Sequence, residues 1–142
     1  MGSLSALDAK TQRQRGAWKG KLLVVDEDVE DLQYYSAILN QLGYEVRAFA
    51  CYDEAASCLG EQVFDLVVVS QGTYNFEGRS VLARAIEKDR RTHVLILTRS
   101  VEIPCYLEAI QLGARDYVLK PFPPSEIAEL VAKYLPPRSG SA

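Results

Sequence analysis

Residues 63–72 read VFDLVVVSQG. Positions 66–69 are an unbroken apolar run dominated by β-branched valine. Such a run marks a strand buried on both faces, as in a parallel sheet covered by helices. It stops at Ser70, Gln71 and Gly72, where polarity and a glycine predict a loop. In open α/β sheets ligands bind just beyond the carboxyl ends of the strands, so Ser70 stands at a position suited to a functional side chain.

Working outward, the same pattern recurs on both sides. Residues 22–25 form a short β-branched strand that stops at Asp26, Glu27 and Asp28. Leu32, Tyr35, Leu39 and Leu42 then recur at helical spacing, closed by Gly43. Residues 44–49 alternate as a second strand, and Asp53 is placed to cap a short helix carrying Ala55, Ala56 and Leu59. After the third strand, at 64–69, Ser80 is the expected cap of a helix with Val81, Leu82, Ala85 and Ile86 facing inward. A fourth strand at 93–97 ends at Thr98, and Pro104 opens a helix that runs to Leu112 and closes at Gly113. A short fifth strand at 117–119 ends at Lys120 and Pro121. Ser125 is the expected cap of a last helix with Ile127, Leu130, Val131 and Tyr134 on one stripe, ended by Pro136 and Pro137.

Strands alternating with helices predict right-handed βαβ crossovers and a parallel sheet with helices on both faces. With strand order 2-1-3-4-5, the topological switch point falls between strands 1 and 3. Asp26, Glu27, Ser70, Thr98 and Lys120 all fall at strand carboxyl ends and are expected to converge on one shallow pocket.

The bounds are those of one domain. A chain of 142 residues holds one ordinary core, and 48% hydrophobic with 25% charged residues is a globular balance. Residues 1–20 are expected to be an extension or linker anchored by Trp18, 21–136 the domain, and 137–142 a tail. A net charge of −3 favours neither nucleic acid nor an anionic membrane as a general partner. No apolar run approaches the roughly 20 residues needed to span a bilayer, and the polar N-terminal stretch, without an apolar core, is not expected to act as a secretory signal. Cys51, Cys58 and Cys105 are scattered without a CxxC and read as buried reduced thiols of a cytoplasmic protein. His93 has no second ligand at metal spacing.

The pocket residues have a chemistry of their own. Two adjacent carboxylates, Asp26 and Glu27, are costly to hold together unless a cation lies between them. Mg²⁺ takes few protein carboxylates and completes its shell with water and phosphate oxygens. Thr98 offers a hydroxyl and Lys120 a point charge for a phosphoryl oxygen. Each residue alone is weak, because charged residues at strand ends are usually just solvated. The set at four strand ends points to phosphoryl chemistry supported by Mg²⁺.

Five stretches carry a family resemblance over about residues 20–135: LLVVDED at 22–28, FDLVVVS at 64–70, Gly78, VLILT at 94–98 and LGARDYVLKPF at 112–122. With them the chain resembles a response-regulator receiver domain of two-component phosphorelay signalling. The resemblance implies a flavodoxin-like (βα)5 fold. It further implies Asp26 and Glu27 as the Mg²⁺-binding acidic pair, with the backbone carbonyl of Gly72 as a further metal ligand. Thr98 matches the hydroxyl that reports phosphorylation, Tyr117 the aromatic switch residue and Lys120 the phosphoryl-contacting lysine. In that switch the phosphate draws in the threonine hydroxyl and the aromatic ring fills the vacated space. Arg99 and Glu102 are candidates to bound the position of Tyr117.

The departure lies at Ser70, where the family carries the aspartate that accepts the phosphoryl group from a histidine kinase. Thr73 and Tyr74 stand where methionine and proline usually follow. A serine supplies no carboxylate to attack or to bind metal, so Mg²⁺ is expected to bind weakly or not at all. A catalytic Ser70–Lys120 pair has neither a nucleophile elbow nor an evident oxyanion hole, and no enzymatic activity is expected. The expected role is a phosphorylation-independent protein-interaction module of the atypical-receiver kind. Its partner would be a sensor kinase or an attached domain, and residues 103–135 would offer the family's usual contact and dimer face. The alternative is a domain that still handles phosphoryl groups through Thr73 or Ser70, or binds a phosphorylated ligand with Mg²⁺.

Overall fold

The computed structural model describes residues 18–121 and 123–135. Five strands alternate with five helices: β1 (Lys21–Val25), α1 (Val29–Gln41), β2 (Glu45–Phe49), α2 (Tyr52–Glu61), β3 (Leu66–Ser70), α3 (Arg79–Lys88), β4 (His93–Thr98), α4 (Ile103–Leu112), β5 (Asp116–Leu119) and α5 (Pro124–Tyr134). All strand pairs are parallel, in the order β2-β1-β3-β4-β5. The expected doubly wound flavodoxin-like sheet is therefore the one formed.

Strand alternation sorts the core into two layers. Leu23, Val25, Val67, Val69, Val94 and Ile96 face α2, α3 and α4, packing with Leu59, Leu82 and Ala109. Leu22, Val24, Leu66, Val68, Leu95 and Leu97 face α1 and α5, packing with Leu39, Ile127 and Val131. β3 sits at the centre and is buried along its whole length. Burying each such Val or Leu contributes about 1.5–3 kcal/mol relative to leaving it in water. That is why the apolar run at 66–69 dictates the architecture.

Several local expectations need correction. β3 starts two residues later than expected, at Leu66, and extends through Ser70 instead of stopping before it. β2 is an edge strand without clean alternation: Arg47 and Ala48 are exposed side by side. Its partial cover comes from Val46 on one face and Phe49 on the other.

The three expected side-chain caps do not form. Cys51 occupies the cap of α2 with no side-chain hydrogen bond, and Asp53 lies inside the first turn. α3 begins at Arg79 behind Gly78, leaving Ser80 within the helix with its hydroxyl 3.4 Å from the Glu77 carbonyl. α5 begins at Pro124 behind Pro123, so Ser125 is also internal. Proline and the tight entry at Gly78 set these starts instead. Cys51 is exposed, whereas Cys58 and Cys105 are buried; all three are free thiols. His93 is half-buried against the Tyr134 ring at 5.4 Å, and burial lowers its pKa.

The expected stop at Gly113 holds, with φ +112° closing α4. Trp18 is half-buried. The rest of the N-terminal extension, Phe122, and Pro136–Pro137 with the tail lie outside the described residues.

The cap that does form is Asp28. Its carboxylate accepts from Glu30 N (3.0 Å) and Asp31 N (3.2 Å) at the start of α1. The Asp31 amide, chiefly, holds the Asp28 pKa below its ordinary value. A carboxylate whose folded pKa is depressed contributes stability above its unfolded pKa, lost as pH falls through the folded value. The acid limb below about pH 4 is therefore expected to flatten in Asp28→Asn, which keeps a capping acceptor without the charge. Asp28→Ala should lower the melting temperature at neutral pH as well. Equal acid limbs in wild type and Asp28→Asn, measured by thermal melts against pH, would contradict this assignment.

Candidate functional site

The carboxyl ends of β1, β3 and β4, together with Lys120 after β5, open on a cleft of about 530 Å³. Asp26, Glu27, Ser70, Gly72, Thr98 and Lys120 all line it, with Arg99 and Thr73 at its margin. The sheet itself brings these side chains together. Asp26 N donates to Phe49 O (3.0 Å), Gln71 N to Leu97 O (2.7 Å) and Lys120 N to Thr98 O (2.6 Å), so each site residue continues a strand ladder.

Charge is arranged as a chain. Lys120 Nζ donates to Asp26 Oδ2 at 2.6 Å and to Asp31 Oδ2 at 2.9 Å. The Lys120 and Asp26 side chains are 3% and 2% exposed. Arg99 then bridges Asp31 (2.5 Å) and Asp28 (3.3 Å), and the Asp31 charge raises the Arg99 pKa. The other Asp26 oxygen, Oδ1, accepts from Asp28 N (3.0 Å). Two cationic side chains thus compensate three aspartates from within the protein. Glu27 remains exposed.

The hydroxyls are engaged locally. Thr98 Oγ1 donates to Ser100 O (2.7 Å) and accepts from Ser100 N (3.2 Å). Ser70 is buried. Beside it lies the Tyr52 hydroxyl, itself buried without a well-formed hydrogen bond. Burial pushes the Tyr52 pKa up, and proximity to Ser70 offsets this only in part. The loop after β3 satisfies itself: Glu77 accepts from Thr73 N at 2.7 Å, and the Thr73 hydroxyl lies 2.8–2.9 Å from both Glu77 oxygens. Those bonds, the backbone one first, lower the Glu77 pKa.

Tyr117 does not line the cleft but reaches its floor from β5. Its hydroxyl donates to Gln71 Oε1 and accepts from Glu102 N (3.2 Å). Of the two residues expected to bound Tyr117, Glu102 does so, through its backbone. Arg99 instead turns to Asp28 and Asp31.

Asp31 and Gln71 escaped the sequence reading. Asp31 carried a usable signal, since three residues after a capping Asp28 an α1 side chain sits over the strand ends. Gln71 carried none: an amide beside a glycine reads as solvated loop, yet it is 1% exposed.

Comparison with known proteins agrees with this geometry. The family model "Response regulator receiver domain" matches residues 22–132. The solved receiver domain from Methanospirillum hungatei JF-1 superposes with a TM-score of 0.76 at 24% identity, covering 81% of this chain and 92% of that one. The beryllofluoride-activated DrrB receiver domain gives 0.71 at 30% identity, covering 82% and 97%. Among curated relatives, the alginate biosynthesis transcriptional regulatory protein AlgB of Pseudomonas putida is 32% identical over 124 residues. The transcriptional regulatory protein YkoG of Bacillus subtilis is 31% identical over 115. The match takes in 87% of this chain for AlgB and 81% for YkoG, but only 28% and 49% of those proteins. The fold, with its acidic cleft at the strand carboxyl ends, defines a receiver-like α/β domain. The chain belongs to the response-regulator receiver-domain family of two-component systems.

Receiver domains typically hold Mg²⁺ in this cleft. The donors present here fit it poorly. Both Asp26 oxygens are already engaged, by Lys120 and Asp28 N. The residue at the end of β3 is a neutral alcohol, and no cluster of three or more metal-ligating side chains exists among the described residues. No described helix is long and apolar enough to cross a membrane.

Proposed function

We propose that this domain is an atypical receiver that works as a phosphorylation-independent protein-interaction module of a cytoplasmic two-component pathway. One observation carries the reading: Ser70 stands at the end of β3, where the family's acceptor aspartate would stand, and its neutral hydroxyl can neither form an acyl phosphate nor supply a carboxylate to the metal. In this assignment Asp26, Glu27 and the Gly72 carbonyl are a residual, weak Mg²⁺ site. Thr98, Tyr117 and Lys120 are the remnants of the phosphate-contact and switch set. Lys120, already committed to Asp26 and Asp31, has no call to meet a phosphoryl group. The other candidate acceptor, Thr73, shares its hydroxyl with Glu77, which disfavours it. The domain is not an enzyme in this reading.

The interaction face is the one spanning 103–135, within a receiver-like unit of residues 21–136. On it Ile103, Tyr106, Leu107, Ile110 and Leu119 are exposed, an apolar surface suited to a sensor kinase, an attached domain or a second copy. The curated relatives, which are named as regulators of transcription and extend well beyond the matched segment, support an attached output domain.

Incubation with Mg²⁺ and acetyl phosphate followed by intact mass tests the reading. No stoichiometric phosphoryl adduct is expected. A full-occupancy adduct on Ser70 or Thr73 would replace this function with the phosphoryl-handling one.

A further inference from the structure

We infer that Gln71 is a positioning residue that latches Tyr117 into one standing orientation, so that the α4–β5 face keeps a single form without any phosphoryl signal. The inference rests on the phosphorylation-independent reading and specifies how the face is held.

Gln71 is a buried amide with both ends in use. Its Oε1 accepts from the Tyr117 hydroxyl, and its Nε2 donates to Thr73 O at 3.2 Å. Its backbone is fixed as well, by Gln71 N to Leu97 O (2.7 Å) and Gly78 N to Gln71 O (3.1 Å). The acceptor is therefore held from both its backbone and its amide nitrogen, and it is placed by the sheet and loop rather than by a ligand. Turning the Tyr117 ring outward would strand Oε1 in the interior and remove the acceptor of Glu102 N. A buried polar group left unpaired is unfavourable, so both losses oppose the outward ring.

The Tyr117 ring also packs on the α2–α3–α4 side of the core and meets the exposed Tyr106 of α4 edge-on, with centroids 5.4 Å apart. Two further ties join the β3–α3 loop and the start of α3 to α4: Cys105 Sγ to Tyr74 O (3.3 Å), and the ion pair of Arg79 with Glu108. Gln71 thus links the floor of the cleft to the helix that presents Ile103, Tyr106, Leu107 and Ile110. A two-state element responds only to contacts that differ between its states. Here that differential contact is a side chain of the protein itself.

The test uses the whole chain, labelled at tyrosine ring carbons, in Mg²⁺-free buffer with no phosphodonor. In wild type, cross-peaks from the Tyr117 ring to the Gln71 side chain and a protected Glu102 amide are expected. In Gln71→Met, which keeps the volume but removes the acceptor, the ratio of inward to outward ring should fall by about tenfold, with faster exchange at Glu102. Tyr117→Phe, which breaks the same bond from the other end and also removes the acceptor of Glu102 N, should accelerate exchange at Glu102 at least as much. The double variant should add nothing further. An unchanged Tyr117 rotamer and unchanged Glu102 protection in Gln71→Met would overturn the latch and leave the ring held by packing alone. If Gln71→Met does not fold, an unchanged ring orientation in Tyr117→Phe, followed with phenylalanine ring labelling, overturns it independently. Because no phosphodonor is present, either result stands apart from the mass test of the preceding section.

Discussion

Replacing Lys120 by methionine should destabilise the domain by about 3 kcal/mol and make its stability depend on Mg²⁺. The ammonium is almost fully buried between Asp26 at 2.6 Å and Asp31 at 2.9 Å. Methionine fills the volume but leaves the Asp26 carboxylate, 2% exposed, without its counter-charge. Removing one partner of a buried pair is far more damaging than losing an exposed pair, which is worth at most about 1 kcal/mol. Arg99 cannot substitute, because it is already held by Asp28 and Asp31 at the rim. A divalent cation can, and so Mg²⁺ should recover part of the loss by binding only the folded variant. Urea denaturation of both proteins, with and without Mg²⁺, measures each part. A loss below about 1 kcal/mol would show that the pair is solvated like a surface salt bridge.

The second large effect is a gain. Ser70→Asp should raise Mg²⁺ affinity about thirtyfold over the unmodified domain, whose own dissociation constant is expected to be millimolar or weaker. The added carboxylate enters the cleft that Asp26 and Glu27 already line. In the water-screened limit, one extra unit charge about 4 Å from a dication contributes roughly 2 kcal/mol, which is the stated factor. It also gives Lys120 a third anionic neighbour beside Asp26 and Asp31, which loosens its hold on Asp26. Titration calorimetry decides the matter. Equal affinities, or micromolar binding before the substitution, would mean that Ser70 is not the missing ligand position.

How much of this was legible depends on which physics writes into sequence. Burial does, strongly: the valines of β3 and the unbroken apolar runs of β1 and β4 follow from a sheet covered on both faces. The strand-end positions of Asp26, Ser70, Thr98 and Lys120 follow from those runs, so the cleft could be read before any coordinate. Caps were read poorly, because Ser80 and Ser125 lie near helix starts whose entry is set by Gly78 and by Pro123–Pro124. Long-range polar bonds leave no local trace. The Gln71–Tyr117 contact spans 46 residues and the Lys120–Asp31 contact 89, and neither side's neighbours announce the other. Arg99 was assigned to the wrong partner for the same reason.

The anchoring of the β3–α3 connection has a practical consequence for re-engineering. At its far end Gly78 lies so close that a Cβ there would stand 2.3 Å from the Ser70 carbonyl oxygen and 2.8 Å from Val69 Cγ1. At its near end Gln71 is pinned by backbone bonds to Leu97 and Gly78. The interval 73–77 is thus a cassette between two fixed posts, its internal bonds made mainly by Thr73 and Glu77 with each other. Its exposed side chains, Tyr74 and Asn75, can be exchanged to write new recognition at the mouth of the cleft, while Phe76, 3% exposed in the core, keeps the loop seated and the sheet and helix in register.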